Sequence, residues 1–148
     1  MPLTFSTPEA AELAFYEALE HGDIEKMKAV WCDDDSIICI HPGAIRIEGR
    51  SDVVDSFRHM FEQAPELDFS ISDVRSQQMQ DLAVHLVREE IEIDGQLVSV
   101  MVSTNVYQRI GDGWRMKLHH ASQEPDYDYD ELDAIAEEMD SETPIVFH

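Results

Sequence analysis

Positive charge is scarce in this chain. Of 148 residues only 10 are Lys or Arg, against 32 Asp or Glu, and the formal net charge is −22 at pH 7. A field of that sign repels phosphate backbones, which argues against a nucleic-acid partner. It also disfavours docking on an anionic membrane. Long apolar runs are missing too: no stretch approaches the roughly 20 residues of a spanning helix. The opening Met-Pro-Leu-Thr-Phe-Ser has neither the basic nor the apolar region of a secretory leader. A cytoplasmic location is the expectation. Cysteine is nearly absent, with only Cys32 and Cys39. Two are too few for a disulfide scaffold. Their spacing, without a CxxC pair, offers too few ligands for a thiolate-held metal. Neither HExxH, nor His-x-His, nor a Gly-rich phosphate loop occurs, so no metal and no cofactor is implied.

What is present is a globular composition, 43% hydrophobic and 8% aromatic, in a length suited to one domain. The acid is unevenly spread. Residues 123–148 hold ten acids and no Lys or Arg, so they supply −10 of the −22 and leave −12 for residues 1–122. Two units follow: a body over 1–122 and an acidic tail over 123–148. In the tail, Leu132, Ile135, Ala136 and Met139 keep helical spacing, and the end, Pro144-Ile145-Val146-Phe147-His148, is apolar. The tail is either a solvated extension or a segment that docks its apolar groups on a neighbouring surface.

In the body, Thr7-Pro8-Glu9 supplies a cap, a first-turn proline and an acid, which open a helix that His21-Gly22 closes. Its apolar positions are Ala11, Leu13, Ala14, Phe15, Ala18 and Leu19. Asp23 caps a second helix with Ile24, Met27, Val30 and Trp31 on one face. Residues 36–41 read as a short buried strand, 45–49 as a link, and Ser51 as the cap of a third helix to about Gln63. Beyond Pro65 the period changes to two. Strands are expected over 67–74, 83–93, 97–110 and 114–122, with Asp94-Gly95 and Gly111-Asp112-Gly113 as tight turns. The order ααβαββββ means α+β, with a curved antiparallel sheet packed on three helices.

Several strings, in this order and spacing, carry a resemblance: Ala18-Leu19-Glu20-His21-Gly22-Asp23, Val30-Trp31-Cys32-Asp33-Asp34, His41-Pro42-Gly43, Glu48-Gly49-Arg50, Gly113-Trp114-Arg115 and His119-His120-Ala121-Ser122. Over about residues 7–122 the chain resembles the nuclear transport factor 2-like superfamily, and within it the small bacterial SnoaL-like domains. The resemblance implies a cone-shaped, cystatin-like α+β fold, a pocket in the mouth of the cone and, often, a homodimer made sheet to sheet. The superfamily spans ketosteroid isomerases, polyketide cyclases, dehydratases, association domains and members without known activity, so the fold leaves function open.

Against the isomerase pattern, Phe15 stands where the catalytic tyrosine would be, and it has no hydroxyl to give an oxyanion. His41, before Pro42, stands near the general-base aspartate. Asn105 stands where a protonated aspartate would donate. His41 titrates in a useful range as a base. His120 shares strand parity with Trp114, Met116 and Leu118, and Asn105 with Met101, Ser103 and Tyr107. The expected site is therefore His41, Asn105 and His120, lined by Phe15, Trp31, Phe57, Phe61, Met101 and Tyr107: an apolar pocket with a few polar groups. Each has a plainer role open to it, as a loop cap, a satisfied core histidine or core packing. His59 and His85 read as surface or edge positions.

Three functions fit these residues. One is a domain that binds a small apolar ligand. A second is a cyclase, dehydratase or isomerase with His41 as acid and base. A third is an interaction domain whose acidic tail recruits a partner. The strand over 97–110 is apolar on both faces, so one face is left for a second subunit. A homodimer through the convex face of the sheet is expected.

Overall fold

The computed structural model describes residues 3–63 and 67–125. The tail passes out of that range at residue 126, so the helix expected over 132–139 and the apolar end lie outside the described residues.

Three helices come first, each with a local cause. Helix α1 (Pro8–His21) is capped by Thr7, whose hydroxyl accepts from Ala10 N at 3.0 Å, and it ends at Gly22 with φ 63°. Helix α2 (Ile24–Val30) is capped by Asp23, which accepts from Lys26 N at 3.0 Å. Helix α3 (Arg50–Gln63) departs from expectation at its start. Ser51 is not its cap. Gly49, at φ 94°, sits at the cap position and its carbonyl accepts from Val53 N at 3.0 Å. The Asp35 carboxylate, brought in from a loop, accepts from Arg50 N at 3.2 Å.

Six strands follow or intervene: β1 (Ile38–Ile40), β2 (Arg46–Glu48), β3 (Asp68–Gln78), β4 (Leu82–Ile93), β5 (Gln96–Ile110) and β6 (Gly113–Gln123). They form one sheet in the order β2-β1-β6-β5-β4-β3. The expected link over 45–49 thus contains a strand, pairing Ile47 with Cys39. The sheet is also mixed: β1 runs parallel to β6, with Cys39 opposite His119. Chain order explains this, because helix α3 and three strands intervene before β6 returns beside β1. The turn at Asp94-Gly95 has φ 51° and 79°, both left-handed, which suits a two-residue hairpin.

Register shifts interrupt three of the ladders. Bulges of this kind bend and twist a strand, and here they accompany the wrap of the sheet around the helices. One has a further effect. Val106 pairs with Leu118, but Tyr107 pairs with Met116, so Lys117 is the extra residue in β6. Inward positions run Trp114 and Met116 before it and His119 and Ala121 after it. The expectation that His120 shares a face with Trp114 and Met116 is corrected: His120 is exposed and its neighbour His119 is buried.

The core lies between the helices and the concave sheet face. Ala11, Phe15 and Ala18 of α1, Met27 and Val30 of α2, Trp31, and Val53 and Phe57 of α3 pack with Cys39, Ala83, Tyr107 and Met116. Leu13, expected on this face, is 60% exposed, and Glu12 is buried instead.

Candidate functional site

Two buried carboxylates organise the polar part of the interior. The first belongs to Glu89 on β4, which shares the inward parity of Ala83, His85 and Val87. Its Oε2 accepts from Tyr16 O–H at 2.5 Å and from Ser103 O–H at 2.7 Å. Tyr16 Oη accepts from Asn105 Nδ2 at 3.0 Å, and Asn105 Oδ1 lies 2.6 Å from His119 Nδ1. Four elements therefore feed one chain of hydrogen bonds, His119 to Asn105 to Tyr16 to Glu89. Every donor in it points toward the carboxylate.

The second carboxylate is Glu12, one helical turn before Tyr16 on the same face of α1. Its Oε2 accepts from Tyr107 O–H at 3.0 Å and meets His85 Nδ1 at 2.8 Å. His85, read from sequence as a surface or edge position, is buried against Tyr107 with ring centroids 5.1 Å apart.

Burial sets the acid–base character of these groups. Desolvation, more than any neighbour, raises the Glu89 carboxyl above its ordinary range, and the Tyr16 and Ser103 hydrogen bonds oppose that rise. Tyr16 is raised, by burial first and then by the Glu89 charge. Burial pushes His119 down to about 3, with His41 and His120 adding smaller repulsions. His41 is lowered by burial alone. His85 moves the other way, raised by its bond to Glu12 against the desolvation that would lower it. Both thiols are pushed up by burial, Cys32 to about 11 and Cys39 to about 12. Neither is poised as a nucleophile.

His41 follows β1 and is half-buried, where the strand gives way to the Pro42-Gly43 turn. Its Nε2 lies 2.9 Å from Ser56 Oγ of α3, and its ring meets Phe57 edge-on at 4.9 Å. Phe57 lies 5.9 Å from Phe15, and Phe15 lies 4.7 Å from His119. The two imidazoles thus flank one aromatic pair.

The structure brings His41 and Asn105 to the inner wall and leaves His120 outside. Phe15, Trp31 and Phe57 are fully buried and pack on one another, with Trp31 6.4 Å from Phe15 and 6.1 Å from Phe57. Phe61 is half-buried beside Phe57 at 6.2 Å. Tyr107 is fully buried and bonded to Glu12, while Met101 is half-buried opposite Glu89 on the neighbouring strand. Sequence reading missed Glu12, Tyr16, Glu89, Ser103 and His119. For Glu89 and His85 the signal was available in the period-two alternation of β4. For Glu12 and Tyr16 it was the i, i+4 spacing beside Ala11 and Phe15. For His119 none was available, because nothing in the sequence marks the bulge at Lys117.

A mixed, coiled six-stranded sheet cupping three helices, with polar groups on its concave wall, defines a cone-shaped α+β domain. A family model described as "SnoaL-like domain" matches residues 9–126. The chain belongs to the SnoaL-like domain family, within the nuclear transport factor 2-like superfamily. It is similar to a solved structure from Thiobacillus denitrificans described as a candidate calcium/calmodulin-dependent protein kinase type II association domain. That match has 40% identity and a TM-score of 0.80, over 83% of this chain and 99% of that one. It is also similar to a candidate dehydratase of the NTF2-like family from Streptomyces avermitilis, with 32% identity and a TM-score of 0.72, over 79% of this chain and 93% of that one. The F-box protein SKIP8 of Arabidopsis thaliana is 25% identical over 108 residues, which are 73% of this chain and 46% of that protein. The chain therefore spans less than half the length of this curated relative. Among the described residues no helix is long and apolar enough to cross a membrane.

Proposed function

We propose that this chain is a small-molecule-binding SnoaL-like domain whose ligand lies against the inner wall between His41 and His119, over Phe15 and Phe57. One observation carries the reading: a four-residue buried chain of hydrogen bonds ends in an ionisable carboxylate, Glu89. Burying a carboxylate is costly, and apolar packing of the same volume is often no less stable. Such a network supports a role in holding and orienting groups that meet a ligand. The binding test compares affinities for a panel of neutral aromatic fragments by ligand-observed NMR. His41→Ala and His119→Ala weaken binding, whereas His120→Ala, on the outer face, leaves it unchanged. Equal affinity in all three variants would remove the inner wall as the site.

An enzyme of the dehydratase or isomerase type, with His41 as acid and base, is supported by the candidate dehydratase relative. It is supported less by the hydrogen bonds. Tyr16 supplies the hydroxyl that Phe15 lacks, but its proton is committed to Glu89 at 2.5 Å and is not free for a developing oxyanion.

A second reading concerns assembly. The relative named as an association domain, together with Leu86, Val98 and Val102 exposed on the sheet, supports self-association through the convex face. A groove of about 450 Å³ lies there, with Leu86, Arg88, Val102, Thr104 and His120 among its lining.

A further inference from the structure

The directions of the hydrogen bonds fix which imidazole nitrogens are bare. Asn105 gives its amide N–H to Tyr16, so it is Oδ1 that faces His119 Nδ1. An amide oxygen has no proton to give. His119 therefore carries its proton on Nδ1, and its Nε2 presents a lone pair. The same logic applies at His41. Ser56 donates its only proton to Val53 O at 2.6 Å, so the 2.9 Å contact with His41 Nε2 is donated by the ring, and Nδ1 is the bare nitrogen. The Cys39 sulfur, 3.7 Å from Nε2 and 4.0 Å from Nδ1, is a weak partner at most. Burial lowers both rings, so they remain neutral acceptors through the neutral pH range.

One donor completes the cluster. Trp31 packs against Phe15 and Phe57, the rings that His119 and His41 lie on. It is fully buried, and its Nε1 has no hydrogen-bond partner among the described residues. A buried donor without an acceptor is costly and calls for a partner. The aromatic cluster thus offers two lone pairs and one N–H, and no fixed charge.

We infer that this site takes an uncharged hydroxyl-bearing ring compound, a phenol or alicyclic alcohol, and discriminates against carboxylates and enolates. The hydroxyl hydrogen goes to an imidazole nitrogen, its oxygen accepts from Trp31, and its ring lies among the phenylalanines. A carboxylate of the same shape would bring negative charge against two lone pairs and lose its water for a single N–H. The inference rests on the small-molecule-binding reading above.

Phenol and benzoate are the matched probes, with dissociation constants measured by ligand-observed NMR on the full chain at pH 7.5. Long-range ¹H–¹⁵N spectra of the same protein read the imidazole tautomers. The expected result is His119 protonated at Nδ1 and phenol bound at least about tenfold tighter than benzoate, equivalent to ~1.4 kcal/mol. Asn105→Asp sets a carboxylate against His119 Nδ1, favours the imidazolium, and narrows or reverses that preference. If that variant does not fold, Trp31→Phe keeps the ring, removes the donor and weakens phenol severalfold while leaving benzoate weak. Benzoate binding as tightly as phenol overturns the ligand class and leaves the binding reading standing. A proton on His119 Nε2 overturns the assignment of the acceptor. Neither probe binding at millimolar concentration, with the tautomers as drawn, overturns the binding reading and this inference together.

Discussion

At the scale of the residue, the interior is organised by groups whose charge burial controls. His119 makes the sharpest case. Its ordinary value is 6.5 and burial holds it at about 3 in the folded chain. Between those values the unfolded chain binds a proton that the folded chain refuses. Stability is complete above the unfolded value and falls as pH drops through this window, by at most about 1.4 kcal/mol per pH unit. His119→Gln keeps a polar group beside Asn105 without the titration. Thermal melts at half-unit steps from pH 7 to pH 4 should show a shallower acid decline for this variant than for the parent. Equal slopes would mean that His119 is not buried as described. His85 contributes with the opposite sign. Its value is raised by Glu12, so its stabilisation is full below the unfolded value and is lost as pH rises through the folded one.

Glu89 extends the argument to hydrogen bonding. It takes two hydroxyl protons, so Glu89→Ala leaves the Tyr16 and Ser103 hydroxyls without an acceptor. At about 1–3 kcal/mol for each buried polar group left unpaired, partly offset by removing a desolvated charge, the net loss should be about 2 kcal/mol. Urea unfolding followed by tryptophan fluorescence reads this directly. Glu89→Gln, which keeps one carbonyl oxygen, should lose less. A variant as stable as the parent would mean that the two hydroxyls find other partners.

At the scale of the element, Arg50 explains a motif that the sequence presents without its reason. Its guanidinium reaches back from the start of α3 to the C-terminal end of α2, donating to Lys28 O at 2.8 Å, Trp31 O at 3.2 Å and Cys32 O at 3.0 Å. It thereby satisfies carbonyls left open at a helix end and sets the segment that carries Trp31. Gly49, before it, takes the left-handed φ that lets the chain turn into α3. Lysine has three donors but not the planar fork that spans three carbonyls. Arg50→Lys should therefore recover little of the stability lost in Arg50→Ala, a loss of about 2–3 kcal/mol for bonds made by a charged donor. Full rescue by lysine, read from the same unfolding curves, would contradict this role.

Much of the element scale was legible in the sequence. Helices α1 and α2 announce themselves by Thr7, Pro8, Gly22 and Asp23, and the long strands by alternation and by Asp94-Gly95. The cap of α3 was not legible, because Asp35 acts from a loop 15 residues upstream. Nor was β2, three residues long, whose pairing depends on where β1 lies. The candidate site was legible in part. His41 and Asn105 were found, whereas His119 was displaced to His120 by a single bulged residue that moves every later side chain to the other face. Glu12 was passed over because composition treats an acid on a helix as solvent-facing, and only the fold shows His85 and Tyr107 waiting for it.

At the scale of the whole molecule, two faces of one sheet have separate tasks. The concave face holds the polar chain and the aromatic cluster. The convex face leaves Leu86 50% and Val98 53% exposed, and the proposal assigns that surface to a second copy. Leu86→Asp introduces a charge at its centre. Sedimentation velocity on the parent should give a dimer and on this variant a monomer, with far-UV circular dichroism unchanged. A monomeric parent would remove the proposed dimer without touching the inner wall.

The inner wall itself is tested by locating a bound phenol on the folded chain. In ¹H–¹³C spectra of the aromatic and imidazole side chains, the shifts should concentrate on Phe15, Phe57, Phe61, His41 and His119, saturate with one dissociation constant, and leave Leu86 and Val102 in place. Saturable shifts confined to the outer residues, or none at all with His41 and His119 unmoved, would contradict the claim that this domain binds its ligand inside the cone.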